Sequence, residues 1–310
     1  MILTSTDEQN GMVLYDLHRL RLLRELAHRG TLVAVGTALG YSPSAISHQL
    51  SLLEREVGVP LLEPVGRGVR LTAAAAELVQ HTERILLELE RAEAAIAASR
   101  TDVSGLVRIA TFQTAAYTLV PAALDVLAAE HPAVDVAVTH VHAERALPAL
   151  LARDVDLVLY EQYPGSPVAP ITNVRTEKLL DDALLIATPA GDPARSLASL
   201  SGARWVMEPI GTRSRDWAVA ACREAGFEPT IALESTDVLL HAHWVARGRG
   251  VAILPDLVAG LADGCALRPS GATRRIWLAV REGSTSNPAV AAARRALRSA
   301  RRGAGSPVPG

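Results

Sequence analysis

Residues 72–99 run for 28 positions without a proline or a glycine, and such a stretch reads as one long helix. Leu78, Ile85 and Ala92 recur every seven residues, and so do Thr82, Leu89 and Ile96. Together they form a seam with alternating spacings of three and four, about three heptads long and weakened by Ala and Thr. Packing on its own domain is one way to cover such a seam. No core sequence lies nearby, so a second helix from a second copy of the chain is the reading we favour.

The residues before this helix are punctuated by caps and stops. Residues 15–29 (YDLHRLRLLRELAHR) have Leu17, Leu20, Leu23 and Ala27 at helical spacing, and Gly30 ends the run. Thr31 caps a short helix over 32–39 that stops at Gly40. Ser42 caps a third helix, with Pro43 at the first position, where no backbone N–H is needed. That helix runs through Ala45, Ile46, Leu50 and Leu53 to Val57, and Gly58 ends it. Two short helices joined by a glycine-containing turn form a helix-turn-helix. Residues 61–72 (LLEPVGRGVRLT) alternate and carry Gly66 and Gly68, as a β-hairpin does. A helix-turn-helix followed by a hairpin is a winged helix, here over 13–72, and the long helix with its end occupies 73–101.

Residues 101–105 make a short polar joint, and beyond it strands alternate with helices. Strands are expected at 106–111, 134–140, 155–160, 184–188, 204–208, 230–234, 251–254 and 275–280. Helices are expected at 115–130, 143–152, 214–225 and 238–247. Apolar strands alternating with helices predict parallel sheets covered on both faces. The Pro-rich stretch 163–170 (YPGSPVAP) and residues 263–271 resemble crossings between two lobes. The tail, 303–310, reads as disordered.

Composition narrows the classes that remain. Hydrophobic residues make up 49% of the 310, ample for packed cores. No apolar run approaches the ~18 residues of a membrane span. The opening MILTSTDEQN lacks the basic flank and apolar stretch of a secretory signal, so a cytoplasmic location is expected. Cys222 and Cys265 are too few for a disulfide scaffold or a four-ligand zinc site. The net charge is −2, yet residues 13–72 hold seven Arg against five acids. Any nucleic-acid contact must therefore come from a local basic face.

The chain resembles LysR-type bacterial transcription regulators over nearly its whole length. The strongest match is SPSAISHQLSLLEREVGVPLLEPVGRGVRL at 42–71, close to that family's recognition helix and wing. Further matches are the long helix, Leu119, Val120 and Pro121, Val155–Asp156–Leu157, and GRGVAILP at 248–255. The resemblance implies a multidomain fold: a winged helix-turn-helix, a dimerising linker helix, and an α/β effector-binding domain of two lobes, like type II periplasmic binding proteins. That domain is expected at 105–302, with lobe I at 105–162 and 268–302 and lobe II at 163–267. There are departures. Leu62 and Pro64 stand where Phe and Arg are usual, Val35 and Gly36 where two Ala are usual, and Ala75 where Gly is usual. Gly36 should weaken its helix by ~1 kcal/mol relative to Ala.

The implied partners are double-stranded DNA with an inverted-repeat operator, a small-molecule effector, and the chain itself, as a dimer through the linker helix and as the family's common tetramer. RNA polymerase is a further candidate partner, and no membrane, cofactor or metal is expected. The N-terminal part of a recognition helix reaches base edges in the major groove. Here that places Ser42, Pro43, Ser44, Ser47 and His48 at DNA, with Gln49 beside them. Arg67 at the hairpin tip suits a narrow minor groove. Arg70 and Thr31 suit phosphates. Ser42 and Thr31 can also serve as plain helix caps.

In the C-terminal domain, ligands are expected at the C-terminal ends of strands, between lobes. The first strand ends at Thr111, Phe112, Gln113 and Thr114. Thr114 matches a family position that often meets a ligand carboxylate, and Phe112 replaces a frequent small hydroxyl residue. Tyr160 and Glu161 end the third strand and should face the same cleft. Thr212, Arg213 and Ser214 open a helix across it, with Thr236 and Asp237 at the next. Arg213 is placed to clamp an anion, and Glu161 is placed to pair with an Arg. These readings favour an anionic effector, while helix capping and solvated charges are the plainer alternatives. A redox role for Cys222 and Cys265 is disfavoured by their wide separation. No nucleophile elbow, phosphate loop or His-rich metal motif supports an enzyme, and His140 and His142 lack a third ligand. A regulator that needs no effector remains the alternative to a ligand-responsive one.

Overall fold

The protein is described from a computed structural model that covers residues 15–304 apart from Arg67 and Arg195. It divides into two units, 1–92 and 93–310.

The N-terminal unit begins with α1 (Leu17–Arg29), α2 (Leu32–Leu39) and α3 (Pro43–Val57). Asp16 caps α1, accepting from the amides of His18 and Arg19, so this helix starts two residues later than its apolar pattern suggests. Thr31 and Ser42 cap α2 and α3 through Ala34 N and Ala45 N. Gly40 ends α2 at φ 73°, a left-handed conformation that glycine adopts freely. Leu20, Leu23, Leu26, Val35, Ile46, Leu50, Leu53 and Leu61 form the core among these helices.

The wing is β1 (Leu62–Val65) paired antiparallel with β2 (Gly68–Leu71). Its base is anchored on α3, because Glu54 Oε1 accepts from the amides of Leu61 and Leu62 at 2.8 and 3.0 Å. The long helix is α4 (Ala73–Ala98). Its start is capped by Thr72, which accepts from Ala75 N and donates to Pro60 O. Glu83 on α4 accepts from the buried Arg24 at 2.8 Å and meets His28 at 2.7 Å. Burial alone would raise the Glu83 carboxyl, but these two partners outweigh it and hold it below its ordinary value. That network fixes α1 against α4.

The C-terminal unit is built on a mixed sheet of six strands in the order β4-β3-β5-β10-β6-β9. These are β3 (Gly105–Thr111), β4 (Val134–His140), β5 (Leu157–Gln162), β6 (Val174–Pro189), β9 (Ala252–Pro255) and β10 (Cys265–Arg281). A parallel pair, β7 (Arg204–Met207) and β8 (Thr230–Glu234), joins β9 through a bridge between Trp205 and Val251. The helices are α5 (Gln113–Tyr117), α6 (Leu119–Glu130), α7 (Ala143–Leu151), α8 (Arg213–Glu224), α9 (Val238–Ala246) and α10 (Pro288–Ala304).

Several expectations are corrected here. The sheets are not all parallel: β10 runs antiparallel to β5 and β6, and β6 antiparallel to β9. The lobe crossing is not at 163–170. Residues 174–180 pair with 276–281 beside β5, and the long strands β6 and β10 carry the chain across near their register shift at Pro269/Thr273. Charged Glu177 disguised this strand; it accepts from Arg294 and Arg298 of α10. The helix expected over 115–130 is broken at Thr118, since Pro121 lacks an N–H and crowds the preceding turn. The last helix runs on through Ala304, so 303–304 are not disordered; residues 305–310 lie outside the described residues.

The core of lobe I packs α6 and α10 on one sheet face through Leu119, Leu127, Ile276, Leu278 and Leu297. Lobe II closes around Trp205, Met207, Cys222 and Val251 on one side and Val238, Val245 and Leu254 on the other.

Candidate functional site

Two sites emerge, one in each unit. In the first, Ser42, Pro43, Ser44, Ser47 and His48 are all exposed on the leading turns of α3. Ser42 Oγ and Ser44 Oγ lie 3.0 Å apart, so capping and surface presentation coincide at Ser42. Gln49 is half-buried, and its Oε1 accepts from Arg19 of α1 at 3.1 Å. Arg19 also pairs with Glu56. The Gln49 amide is thus held by α1. Thr31 is exposed, but its hydroxyl oxygen is engaged in its cap. Arg70 is exposed and pairs across the hairpin with Glu63 at 2.8 Å, so a phosphate would have to compete with that carboxylate. Arg67 lies outside the described residues. Tyr41 is a residue the sequence reading missed: it is 47% exposed beside the α3 cap, with its ring edge-on to His18 at 5.8 Å. An aromatic just before a capping Ser was the available signal.

The second site is a cavity of about 70 Å³ in the C-terminal unit, at the C-terminal ends of β3, β5 and β7. Phe112, Gln113, Thr114, Glu161, Thr212, Arg213, Ser214 and Thr236 all line it. Thr111 and Tyr160 do not. Thr111 is fully buried, with its hydroxyl on Phe112 O. Strand β5 continues past Tyr160 to Gln162. Side chains alternate along a strand, so when Glu161 faces the cavity Tyr160 faces away. It stacks on Trp277 at 6.5 Å.

The hub of the cavity is Arg274 on β10, only 2% exposed. It donates to Asp182 Oδ2 from Nε at 2.7 Å, to Thr114 Oγ1 at 2.7 Å and to Glu161. The guanidinium lies 5.3 Å over the Phe112 ring. Burial alone would lower its pKa, but Asp182 and Glu161 outweigh burial and raise it. The Thr114 hydroxyl, expected to meet a ligand, is already committed to Arg274. Its helix α5 has only five residues. Glu161 has the predicted Arg partner, but that partner is Arg274.

Gln113 spans the cleft. Its Nε2 donates to Asp237 Oδ1 at 3.0 Å and its Oε1 accepts from Val238 N at 2.9 Å, at the start of α9. Asp237, not Thr236, caps α9, accepting from Leu239 N and Leu240 N. Thr212 caps α8 through Arg215 N. Arg215 is tied to Glu208 O and Glu234.

Glu208 follows β7 and also lines the cavity. Burial first, and then Glu161, push its carboxyl up to about 7. Tyr163 is buried there too, its phenol raised by burial. His241 Nε2 donates to Ser235 O, 2.7 Å away, and burial lowers its pKa. Glu208 was within reach of the strand-end rule that selected Glu161. Arg274 and Asp182 had no local signal. The thiols of Cys222 and Cys265 are both pushed up by burial, the first to about 11. That leaves them protonated and weakly nucleophilic at neutral pH. No cluster of three or more metal-ligating side chains occurs among the described residues, and none of their helices is long and apolar enough to cross a membrane.

A winged helix joined by a long helix to a two-lobed cleft domain defines a class of ligand-linked DNA-binding proteins. Comparison with known proteins agrees. Residues 17–76 match the model of the bacterial regulatory helix-turn-helix protein, lysR family, and residues 100–302 match the LysR substrate binding domain. The chain therefore belongs to the LysR family of transcriptional regulators, and it is a DNA-binding regulator, not an enzyme. Transcriptional dual regulator GltC of Bacillus subtilis is 26% identical over 246 residues, covering 78% of this chain and 81% of that protein. Among solved structures, a full-length OxyR variant of Pseudomonas aeruginosa has the same fold, with a TM-score of 0.67 at 20% identity, covering 92% of this chain and 95% of that one. CbnR in complex with its target DNA superposes with a TM-score of 0.53 at 23% identity, covering 92% and 99%.

Proposed function

We propose that this regulator reads an inverted-repeat operator as a cytoplasmic dimer and that a small molecule in the cleft resets the geometry of the paired DNA-binding domains. The observation that carries the ligand half is Gln113, which clasps lobe I to the start of α9 beside the cavity. A ligand bound there changes the balance between open and closed lobes only through its different affinity for the two. On the DNA side, Ser44, Ser47 and His48 present polar groups outward from α3, where a major groove would receive them. Pro43 shapes the first turn. Arg67 is assigned to a minor groove, and Arg70 and Thr31 to phosphates.

The dimer is assigned to α4. Ile85, Leu89 and Ile96 are exposed at 44%, 41% and 65% along the heptad seam. Apolar side chains at that spacing suit a partner helix. Two reading heads on one seam raise affinity through effective concentration, and a two-fold pair matches a palindromic site. Tetramer formation and contact with RNA polymerase extend this reading.

The test is footprinting of the full chain on the DNA upstream of its own gene at fixed salt, with and without metabolite pools. We expect a protected inverted repeat that His48→Ala weakens and whose length changes with one pool. Sequence-independent protection, unchanged in His48→Ala, would overturn the assignment.

A further inference from the structure

The DNA-facing part of the first unit is short of positive charge. Between Arg29 and Arg55 the chain has no Arg and no Lys, so α2, the turn after it and the leading turns of α3 carry no fixed cation. Most of the flanking arginines are committed: Arg19 to Glu56, Arg24 to Glu25 and Glu83, Arg29 to Glu25, and Arg70 to Glu63. Arg55 is exposed, but near the far end of α3. A duplex still presents phosphates along the groove that such a helix enters, and contacts to them fix its register. Around the start of α3, neutral donors or histidine must make those contacts.

Tyr41 is held ready for that task. Its amide donates to Gly36 O at 3.1 Å. Its carbonyl oxygen packs so closely on Gly36 that a Cβ there would lie 2.6 Å away. Gly40 before it turns at φ 73°, and Ser42 after it caps α3. With its backbone pinned, the ring is held as well, edge-on to His18 of α1 at 5.8 Å. It is 47% exposed, and its hydroxyl has no protein partner among the described residues.

We propose that Tyr41 is a DNA contact: its phenol donates to a phosphate oxygen at the rim of the major groove, and His18 is the positioning residue that sets the ring. This rests on the reading of α3 as the helix that enters the groove. A recognition helix enters by its N-terminal turns, so the residue just before its cap lies where the sugar-phosphate backbone passes. Such a contact positions the reading head and carries no sequence information. The phenol is neutral and replaces no counterion, so it adds affinity without adding to the salt dependence.

The test is fluorescence anisotropy of the full chain across a salt series, on the duplex upstream of its own gene and on single-base-pair variants of that duplex. Tyr41→Phe keeps the ring and loses only the hydroxyl. We expect it to weaken binding about tenfold, by the same factor on every duplex and with the salt slope unchanged. His18→Ala should weaken binding in the same uniform way, and His18→Phe, which again offers the ring an edge, should restore it. Wild-type affinity in Tyr41→Phe beside a loss in His48→Ala overturns the proposal and keeps α3 as the reading helix. If both variants bind like the wild type, that reading of α3 falls too. A Tyr41→Phe loss confined to particular base-pair variants makes Tyr41 a base reader and overturns the phosphate contact. A loss with a flatter salt slope means that charged contacts have gone with it, and overturns the proposal as well. A His18→Ala loss that His18→Phe leaves unrestored removes His18 as the positioning residue.

Discussion

Replacing Arg274 with Met tests whether the buried cation organises the C-terminal unit. Arg274 is 2% exposed and holds Asp182 and Glu161, whose side chains are 1% and 13% exposed. Met fills much of the same volume, so little cavity results and the change is mainly electrostatic. Removing one partner of a buried ion pair costs about 3–5 kcal/mol, because the other charge stays behind. Asp182 keeps a hydrogen bond from Leu257 N at 2.9 Å, which softens the loss without supplying a counter-charge. The Asp182 carboxylate would then stay buried without that counter-charge, and burial favours its protonated form. The folded variant binds more protons than the unfolded chain, so its deficit is smaller at pH 5 and larger at pH 8. Adding Asp182→Asn removes that buried charge and should return about 2 kcal/mol. Urea unfolding followed by tryptophan fluorescence is a direct assay, since Trp205, Trp217, Trp244 and Trp277 all lie in this unit. A loss below about 1 kcal/mol, independent of pH and not relieved by Asp182→Asn, would refute the argument.

Helix propensity makes Gly36→Ala a gain of about 1 kcal/mol, but a Cβ there would sit 2.6 Å from Tyr41 O. Overpacking against backbone costs about 1–3 kcal/mol, so thermal melts by circular dichroism should show a net loss; a gain of the full propensity value contradicts it. Glu208 has a folded pKa of about 7 against an ordinary 4.5, so the unligated chain should lose stability as pH rises between them. Glu208→Gln should remove that slope and gain about 1–2 kcal/mol at pH 8, discounted for partial exposure; parallel urea midpoints for both proteins from pH 5.5 to 8 would exclude it. Placing Glu at Ile85 and Leu89 together should shift sedimentation toward monomer with the secondary structure intact, whereas an unchanged dimer would remove α4 as its seam.

The winged helix was legible because its signals are local. Asp16, Thr31, Ser42, Gly30, Gly40 and Gly58 bracket their helices within a turn or two. The cleft was only partly so. Strand ends point to Glu161 and Glu208 by a simple rule, yet the face that Tyr160 takes depends on β5 continuing two residues further. Gln113 and Asp237 are 124 positions apart, and nothing beside either residue predicts the other. Arg274 sits among Thr273 and Arg275 in a segment that reads as a charged approach to a strand. Its burial follows from the pairing of β10 with β6 and β5, a long-range fact. Gly36 shows the same limit with the opposite sign: propensity sees only the helix, whereas the close approach of Tyr41 O decides the residue.

The two ways in which the lobes are joined differ in strength, and that difference suits a switch. Arg274 is an ionic lock on the crossing strands, where removal of one charge is worth several kcal/mol. It resists any ligand and keeps the lobes attached along a defined line. Gln113 is a clasp of two hydrogen bonds, one to the Asp237 carboxylate worth about 1.5–3 kcal/mol net and one from Val238 N worth about 0.5–1.5 kcal/mol. A ligand with micromolar affinity brings about 8 kcal/mol, more than the clasp supplies. A differential of about 2–4.5 kcal/mol between open and closed states therefore suffices to make or break the Gln113 contact while leaving Arg274 in place. Gln113→Ala separates the two. It should change how far the lobes close, read by scattering with and without ligand, and leave the urea midpoint within about 2–4.5 kcal/mol of the wild type. A larger loss of stability would mean that the clasp, too, is part of the lock.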